Sequence, residues 1–171
     1  MPADWSRAVD VERLADAGET REFELPLREL PRLAPALAVD EGSAQCRIAF
    51  ARERGAPIAD VAVKARLGLR CERCLRPVWH EVDGESRVWL LTDPSQADDL
   101  DPGIEPTLAP QGRIPLRDLA EEELLLALPL VPRHERLADC VPAAEGGSGA
   151  EEEVLQRPFA GLGELLKRGR E

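Results

Sequence analysis

The chain has few of the residues on which enzymes ordinarily depend. Its 171 residues include no tyrosine, two histidines and one methionine, and aromatic residues make up only 4% of the sequence. No glycine-rich phosphate loop, nucleophile elbow or metal-activating histidine pair is present. Acidic residues are abundant, but runs of charge are usually solvated surface. The sequence therefore contains no recognisable catalytic motif, and we expect a protein that is not an enzyme.

Apolar segments that would target or anchor the protein are also missing. No run of about 18 apolar residues occurs, so we expect no membrane-spanning helix and no membrane partner. The first ten residues, MPADWSRAVD, are charged and lack the apolar stretch of a signal peptide. We therefore expect a cytoplasmic protein, in which the four cysteines are more often thiols or metal ligands than structural disulfides.

The chain does contain enough aliphatic sequence for one folded domain. Hydrophobic residues make up 43% of the sequence, and a chain of this length can bury a substantial core. We expect a single domain over residues 1–142, followed by a flexible acidic linker over residues 143–153. Residues 154–171 are expected to form a C-terminal docking segment with leucine and phenylalanine anchors.

Strict alternation of apolar and polar residues predicts a long β-hairpin in the middle of the chain. The alternation runs through "AQCRIAFAR" and again through "PIADVAVKARLGLRC", as expected for half-buried antiparallel strands. We place Gly55 and Ala56 in the two-residue turn, which pairs Arg54 with Pro57. This register brings apolar residues opposite one another on one face of the hairpin.

Three further elements complete the predicted fold. Residues 77–91 are predicted to form a third long strand, bent or bulged near Gly84. A leucine-rich helix is predicted from Leu116 to Leu128, with the triplet Glu121–Glu123 on a wet face, and a short helix is predicted over residues 5–17. The fold class is therefore α+β, a curved antiparallel sheet of about four to six strands with the leucine-rich helix packed on it and short flanking helices. The pattern does not decide whether the sheet closes into a barrel.

The stretch "LGLRCERCLRPVW" carries the strongest chemical signal in the chain, a pair of cysteines two residues apart. Cys71 and Cys74 lie in a tight connection between two predicted strands, which is the form of a zinc knuckle. A structural zinc site needs four ligands, so two more must come from elsewhere. The ligands we favour are Cys140 and, less strongly, His134, six residues apart on a proline-bounded loop.

Other ligands and other uses of the cysteine pair are less well supported. In the predicted hairpin Cys46 lies opposite a residue six positions from Cys71, about 20 Å away, so Cys46 is better explained as a small core residue. His80 is expected to be exposed or at the edge of the core. A redox role usually requires a helix N-terminus, which is absent from this context. Packing of both cysteines in the turn without a metal is the remaining alternative.

The chain is acidic overall, with a net charge of −11, but its charges are unevenly distributed. Acidic clusters dominate from Thr92 onward, whereas basic residues dominate the middle of the chain. Solvated surface is the ordinary explanation of such runs, and a bipolar binding surface is the functional one. The basic residues of the middle stretch are Arg47, Arg52, Arg54, Lys64, Arg66, Arg70, Arg73 and Arg76, against only Glu53, Asp60 and Glu72.

Three segments together resemble the signature segments of the bacterial YceD family. They are "CERCLRPVWHEV", "LRDLAEEELLLALPLVPRHERLADC" and "RPFAGLGELLK", in the family's order, and the resemblance extends over roughly residues 20–168. It implies a non-enzymatic role in accumulation of the 23S ribosomal RNA or in assembly of the large ribosomal subunit. It also implies a link to a small zinc-containing large-subunit protein. Cys71, Cys74 and Cys140 occupy the family's cysteine positions and His134 its histidine position.

Two functional hypotheses follow from the charges and the resemblance. In the first, the chain binds ribosomal RNA through a basic strand face and the adjacent turn, with Trp79 available for stacking. The residues of this predicted RNA-binding face are Arg47, Arg52, Lys64, Arg66, Arg70, Arg73 and Arg76. In the second, the acidic surface binds a basic ribosomal protein through Glu121, Glu122 and Glu123. The hypotheses are compatible, because they use different parts of the chain.

Overall fold

The computed structural model of the chain describes residues 4–99 and 103–140, in which eight strands and two α-helices form. The strands are β1 (Ala8–Asp10), β2 (Thr20–Pro26), β3 (Leu37–Val39), β4 (Ser43–Glu53), β5 (Ala56–Arg70), β6 (Pro77–Leu91), β7 (Glu105–Leu108) and β8 (Arg113–Pro115). The helices are α1 (Val11–Ala17) and α2 (Leu116–Leu126). In these ranges no helix has the length and hydropathy to cross a membrane. The predicted linker over 143–153 and docking segment over 154–171 lie outside the described residues.

Six strands form the main sheet, which confirms the predicted α+β class. The strand order is β2-β4-β5-β6-β7, with β3 paired to the end of β5. The pairs are antiparallel except for the parallel pair of β6 with β7. Strands β1 and β8 form a separate two-stranded sheet. Over the described residues β2 and β7 do not pair with each other, so the main sheet is open and is not a barrel.

The central hairpin of β4 and β5 is confirmed, but its turn lies one residue earlier than predicted. Glu53 pairs with Ala56, so Arg54 and Gly55 form the two-residue loop. Both loop residues have positive φ, 48° and 85°, as a type I′ turn requires. The observed register therefore differs by two residues from the predicted pairing of Arg54 with Pro57, which is wrong. An even shift leaves every side chain on the same face, so the predicted inner face is correct.

The helices and the inner face of the sheet enclose an aliphatic core. Its fully buried members include Ile48 of β4, Leu67 of β5, Leu14 of α1 and Leu124 of α2. Cys46 belongs to the same core, as predicted. Burial of these side chains removes apolar surface from water and is the main stabilising contribution to the fold.

The N-terminal helix is shorter than predicted over residues 5–17. α1 begins after Asp10, whose carboxylate accepts the backbone N–H of Arg13 at 3.0 Å, and it ends at Gly18 in the left-handed conformation. Ala8–Asp10 form β1 instead, where Val9 pairs with Ile114, and Asp4–Ser6 form a short 3-10 helix. The N-cap carboxylate therefore decides where the helix begins, and apolar spacing alone did not reveal it.

Strand β6 passes Gly84 without interruption, so the predicted bulge is wrong. Gly84 pairs with Val63 within a continuous register. A Cβ at this position would lie 2.7 Å from Oε1 of Glu123 on α2, a distance that side chains do not tolerate. Glycine therefore leaves room for the Glu123 carboxylate against the strand, and a side chain here would force that carboxylate to move.

The glutamate triplet of α2 does not form a wet face, contrary to the prediction. Glu121 is 2% exposed and Glu123 is 7% exposed. Oε1 of Glu121 accepts the backbone N–H groups of Arg32 at 2.7 Å and Leu33 at 3.0 Å, which attaches the proline-rich segment after β2 to α2. Glu122 is partly exposed and pairs with the Arg32 guanidinium. Binding of a basic protein by this triplet stays a prediction, with one of its three carboxylates clearly accessible.

We expect Glu121→Ala to lower the free energy of unfolding by about 2–3 kcal/mol, because two backbone N–H groups lose their charged acceptor. The matched variant Glu122→Ala removes only a partly exposed ion pair and should cost less than about 1 kcal/mol. Urea unfolding followed by circular dichroism measures both values. Equal losses in the two variants would contradict a structural role specific to Glu121.

Candidate metal centre

The turn between β5 and β6 has a backbone that holds two cysteines close together. The N–H of Leu75 donates to the Cys71 carbonyl at 2.8 Å, and the N–H of Cys71 donates to the Arg76 carbonyl at 2.9 Å. Leu75 adopts a positive φ of 60°, which reverses the chain before β6. As a result the thiols of Cys71 and Cys74 lie within 4.8 Å of each other.

The segment that follows α2, residues 127–140, returns to this turn. The N–H of Glu72 donates to the Pro132 carbonyl at 2.9 Å, which attaches the segment to the turn. A short 3-10 helix over Leu137–Asp139 then positions Cys140, whose N–H donates to the Leu137 carbonyl at 3.0 Å. The segment thereby brings its histidine and cysteine to the end of the sheet.

All four predicted metal ligands meet at this end of the sheet. The ligand atoms of Cys71, Cys74, His134 and Cys140 all lie within 4.8 Å of one another. The sulfurs of Cys71 and Cys140 are 3.9 Å apart. Nδ1 of His134 is 3.6 Å from the sulfur of Cys74 and 3.5 Å from that of Cys140. Three thiols and one imidazole at these separations form a group that could hold a metal ion.

The other nitrogen of His134 is held in a way that suits a metal ligand. Nε2 lies 3.2 Å from the Pro77 carbonyl oxygen, which can only accept a hydrogen bond. Nε2 therefore carries the proton, and in the neutral ring Nδ1 presents its lone pair to the sulfurs. A backbone carbonyl that orients the distal nitrogen is the usual support of a metal-bound histidine. This contact supports His134 as a metal ligand, which the sequence analysis favoured least strongly of the four.

The environment of the cluster favours a thiolate at Cys71. Burial alone would raise the pKa of Cys71, but hydrogen bonds that include those from the backbone N–H groups of Arg73, His134 and Cys74 lower it to about 5. Burial raises the pKa of Cys140, and the Arg73 guanidinium, 3.7 Å from its sulfur, opposes that rise. Backbone donors and one arginine thus stabilise negative charge on sulfur, as metal binding requires.

The cysteine and histidine outside the cluster have structural surroundings. Cys46 is buried in the core, and burial raises the pKa of its thiol to about 12. Nε2 of His80 lies 3.3 Å from the Ala127 carbonyl, so His80 fastens the beginning of the return segment to β6. His80 is partly buried, which agrees with the expected position at the edge of the core.

The outer face of the sheet carries six acids and five bases. The strand register sets Glu22 opposite Arg47, Lys64 opposite Asp83 and Arg66 opposite Glu81, and each pair is linked at 3.3, 3.0 and 3.2 Å respectively. The basic members of this face are Arg47, Lys64, Arg66, Arg70 and Arg87, and the acidic members are Glu22, Glu24, Asp60, Glu81, Asp83 and Glu85. The neighbouring strands therefore neutralise most of the positive charge expected from the middle of the chain. Arg52, also predicted for this face, pairs with Glu12 and Asp16 of α1.

Positive charge without acidic partners is concentrated instead around the cysteine turn. We call Arg70, Arg73, Arg76, Trp79 and Arg133 the knuckle surface. In the part of the chain that the structure describes, none of its four arginines forms an ion pair with a carboxylate. Trp79 is 50% exposed, and the guanidinium of Arg66 lies 4.6 Å from its ring centroid. A depression of about 460 Å³ adjoins this surface and is lined by Trp79, Arg133 and His134, among others.

Two features of the basic surfaces were not identified from the sequence. Arg133 was missed because it is far from the basic stretch along the chain and reaches it only through the return segment. Its position directly before the candidate ligand His134 was a signal that could have found it. The neutralisation of Arg47, Lys64 and Arg66 was also missed, although alternating acids in "WHEVDGESR" indicated it.

Comparison with known proteins identifies the family. The sequence profile of the family described as "Large ribosomal RNA subunit accumulation protein YceD" matches residues 59–166. A protein of Haemophilus influenzae with the same description is 32% identical over 148 residues, which cover 82% of this chain and 83% of that protein. No solved structure matches the chain.

The chain belongs to the YceD family. The family match includes all four candidate metal ligands together with β6, α2 and most of β5. The family is named for accumulation of large ribosomal RNA and not for an enzymatic reaction. Within this YceD chain, the cysteine turn and the return segment are therefore parts of the matched region and not additions to it.

We expect the metal-free, reduced chain to gain thiolate absorbance near pH 5, where Cys71 ionises, and Cys71→Ser to lack that step. Because the pKa of Cys71 is lowered from 9.0 in the folded chain, its thiolate stabilises the fold fully at alkaline pH and loses that effect as pH falls through about 5. Ultraviolet titration of both proteins measures the step. The control Cys46→Ala should retain it, and a step that persists in Cys71→Ser would contradict the assignment.

Proposed function

We propose that this chain is a non-enzymatic, cytoplasmic factor that promotes accumulation of the large-subunit ribosomal RNA by binding that RNA, 23S or its precursor, directly. Membership of a family named for large ribosomal RNA accumulation supports the RNA as partner. The observation that carries direct binding is the knuckle surface, whose arginines have no described acidic partner. Uncompensated charge favours phosphate binding, because ion-paired arginines must first give up their carboxylates.

The knuckle surface offers more than charge. Trp79 stands on β6 opposite Gly68, and a Cβ on that glycine would lie 3.2 Å from the tryptophan ring. Because Gly68 has no side chain, the edge of the Trp79 ring lies directly against the backbone of β5. Trp79 is 50% exposed. An exposed ring beside several arginines suits an unpaired RNA base, since base stacking on aromatic rings contributes about 1–3 kcal/mol per base. This arrangement favours single-stranded segments over duplex RNA.

The strand face contributes less than was predicted. Arg47, Lys64 and Arg66 remain exposed, but each has an acid directly opposite on the neighbouring strand. Exposed pairs of this kind are worth roughly 0–1 kcal/mol, so phosphate could displace the carboxylates. The displaced acids would nevertheless remain beside the RNA and repel it. The proposal therefore moves the RNA contact from the strand face to the turn end of the sheet.

We propose zinc as the metal of the four-ligand cluster. Three cysteines and one histidine are a standard structural zinc set, and tetrahedral zinc–sulfur bonds of about 2.3 Å would separate two sulfurs by roughly 3.8 Å. The observed separation of Cys71 and Cys140 is 3.9 Å. The ion would hold the return segment to the turn and so fix Arg133 beside Arg73 and Arg76. Its role is to support the knuckle surface, since four protein ligands leave no position for substrate.

One zinc ion per chain is the expected content of the purified, freshly reduced protein, measured by elemental analysis. Cys71→Ser and Cys140→Ser should each lose the ion, because each removes a thiolate ligand. Cys46→Ala is the matched control, since it removes a cysteine that lies in the core and should leave the zinc content unchanged. A zinc content near zero in the wild-type protein would overturn the proposal.

Arg70→Gln/Arg76→Gln/Arg133→Gln is the variant that tests RNA binding. We expect its affinity for transcribed large-subunit ribosomal RNA to fall at least about tenfold, and the slope of log affinity against log salt to decrease by about two. Filter binding at several salt concentrations measures both quantities. The variant spares Arg73, whose contact with Cys140 would confound loss of RNA with loss of metal.

The matched control is Arg47→Gln/Lys64→Gln/Arg87→Gln, which removes the same charge from the ion-paired strand face. We expect this control to retain most of the affinity. Loss in the control with no loss in the knuckle variant would return the RNA site to the strand face. Unchanged affinity in both variants, or no binding by the wild type, would exclude RNA contact through either surface.

A further inference from the structure

A groove lies on the side of the sheet that α2 covers. It has a volume of about 970 Å³ and lies between β6, β7 and α2. Val61 and Val88 belong to its lining, and so do Leu108 and Leu126, which are 50% and 64% exposed. The groove is distinct from the knuckle surface, with which it shares no lining residue.

Glu123 is the unusual member of this groove. Its side chain lines the cavity and is 7% exposed, yet it forms no hydrogen bond or ion pair with its carboxylate among the described residues. Its carboxylate oxygens are not among the fully buried polar atoms that lack a partner in the described chain, so they face the open groove without a protein partner. The two other acids on the α2 wall are compensated, Glu122 by Arg32 and Asp118 by Arg117.

The surroundings of Glu123 keep the carboxylate in this position. Its Oε1 lies where a side chain on Gly84 would begin, so the glycine leaves room for it. Arg87, the nearest cation of β6 on the lining, is bound to Asp60 at 2.6 Å and faces the outer side of the sheet. Arg113 also lines the groove but is exposed and forms no ion pair within the described residues. No cation of the described chain therefore neutralises Glu123.

The edge of β6 beside the groove is also unpaired. β6 pairs with β7 only over Val88–Leu91, so residues 78–87 have a strand neighbour on one side alone in the described chain. An edge strand offers backbone N–H and C=O groups to an extended segment that lies alongside it. Ser86 of this edge is small and lines the groove.

We propose that this groove binds an extended segment of a basic protein, with one lysine or arginine side chain of that segment paired to Glu123. A cationic side chain supplies the charge that Glu123 lacks, the edge of β6 supplies backbone hydrogen bonds, and Leu108 and Leu126 supply apolar contacts. A small amine would satisfy Glu123 but would leave both leucines and the strand edge unused. The proposal does not depend on RNA binding, because it uses none of the knuckle surface.

The test uses the full chain and a fluorescein-labelled peptide of alternating lysine and valine, followed by fluorescence anisotropy. We expect Glu123→Gln to weaken binding at least about tenfold, which corresponds to about 1.4 kcal/mol. A peptide with glutamine in place of lysine should bind the wild-type chain at least about tenfold more weakly as well. Glu85→Gln is the matched control, since it removes an equal charge from the outer face of the same strand, and it should bind normally.

Gly84→Ala provides a second variant that keeps the charge of Glu123. The added Cβ displaces the carboxylate, so binding should weaken in this variant too, and circular dichroism confirms that each variant is folded. Equal affinity in the wild type and in Glu123→Gln would overturn the proposal. Equal losses in Glu123→Gln and Glu85→Gln would also overturn it, because they would indicate non-specific attraction to an acidic protein. Absence of binding by the wild-type chain at about 1 mM peptide would overturn it as well. RNA binding is measured in a separate experiment, so failure of the peptide site and failure of the RNA site can be told apart.

Discussion

The return of the chain from α2 to the β5–β6 turn is the constraint on which the candidate site depends. Cys71 and Cys140 are 69 residues apart in sequence, and bringing such distant positions together costs conformational entropy. Three contacts offset this cost: Glu72 to Pro132, His134 to Pro77, and His80 to Ala127. All three attach the return segment to β6 or its turn through backbone groups. The geometry of the sulfur cluster is therefore a consequence of these contacts with β6 and its turn, and an ion bound by four ligands would add its binding free energy to the same arrangement.

Much of the fold was predictable because its main signal is local. Period-two alternation assigned the inner faces of β4 and β5 correctly. It did so although the turn was misplaced, because the predicted register differed from the observed one by an even number of residues. The turn itself was not predictable from the alternation, because it depends on a positive φ at Arg54, which an arginine adopts only rarely. The metal ligands were predictable for another reason. With four cysteines and two histidines in the whole chain, strand geometry excluded Cys46 and left few combinations.

The charge of a sheet face could not be read from one stretch of sequence. The basic excess between positions 47 and 76 counts β4 and β5 but omits β2 and β6, which lie on either side of them. Those outer strands place Glu22, Glu81 and Asp83 directly opposite the basic residues. Local charge is a property of strand neighbours, so it follows from the pairing order and not from the linear count. Among the residues of the predicted RNA-binding face, the excess survives beyond the last pair, at Arg70 and the turn.

The two buried glutamates of α2 show why burial alone does not separate structural from functional residues. Glu121 and Glu123 are two positions apart and both belong to a helix whose pattern predicted a wet face. Glu121 accepts two backbone N–H groups that would otherwise lack partners, so its burial is fully explained within the fold. Glu123 has no such partner among the described residues and faces a groove, so the fold alone does not explain its burial. Only the first carboxylate is compensated by the chain itself, whereas the oxygens of Glu123 are not fully buried and face the groove. Because no described side chain occupies it, the Glu123 carboxylate is accessible to a cationic ligand that enters the groove, and this accessibility is what separates it from the structural Glu121.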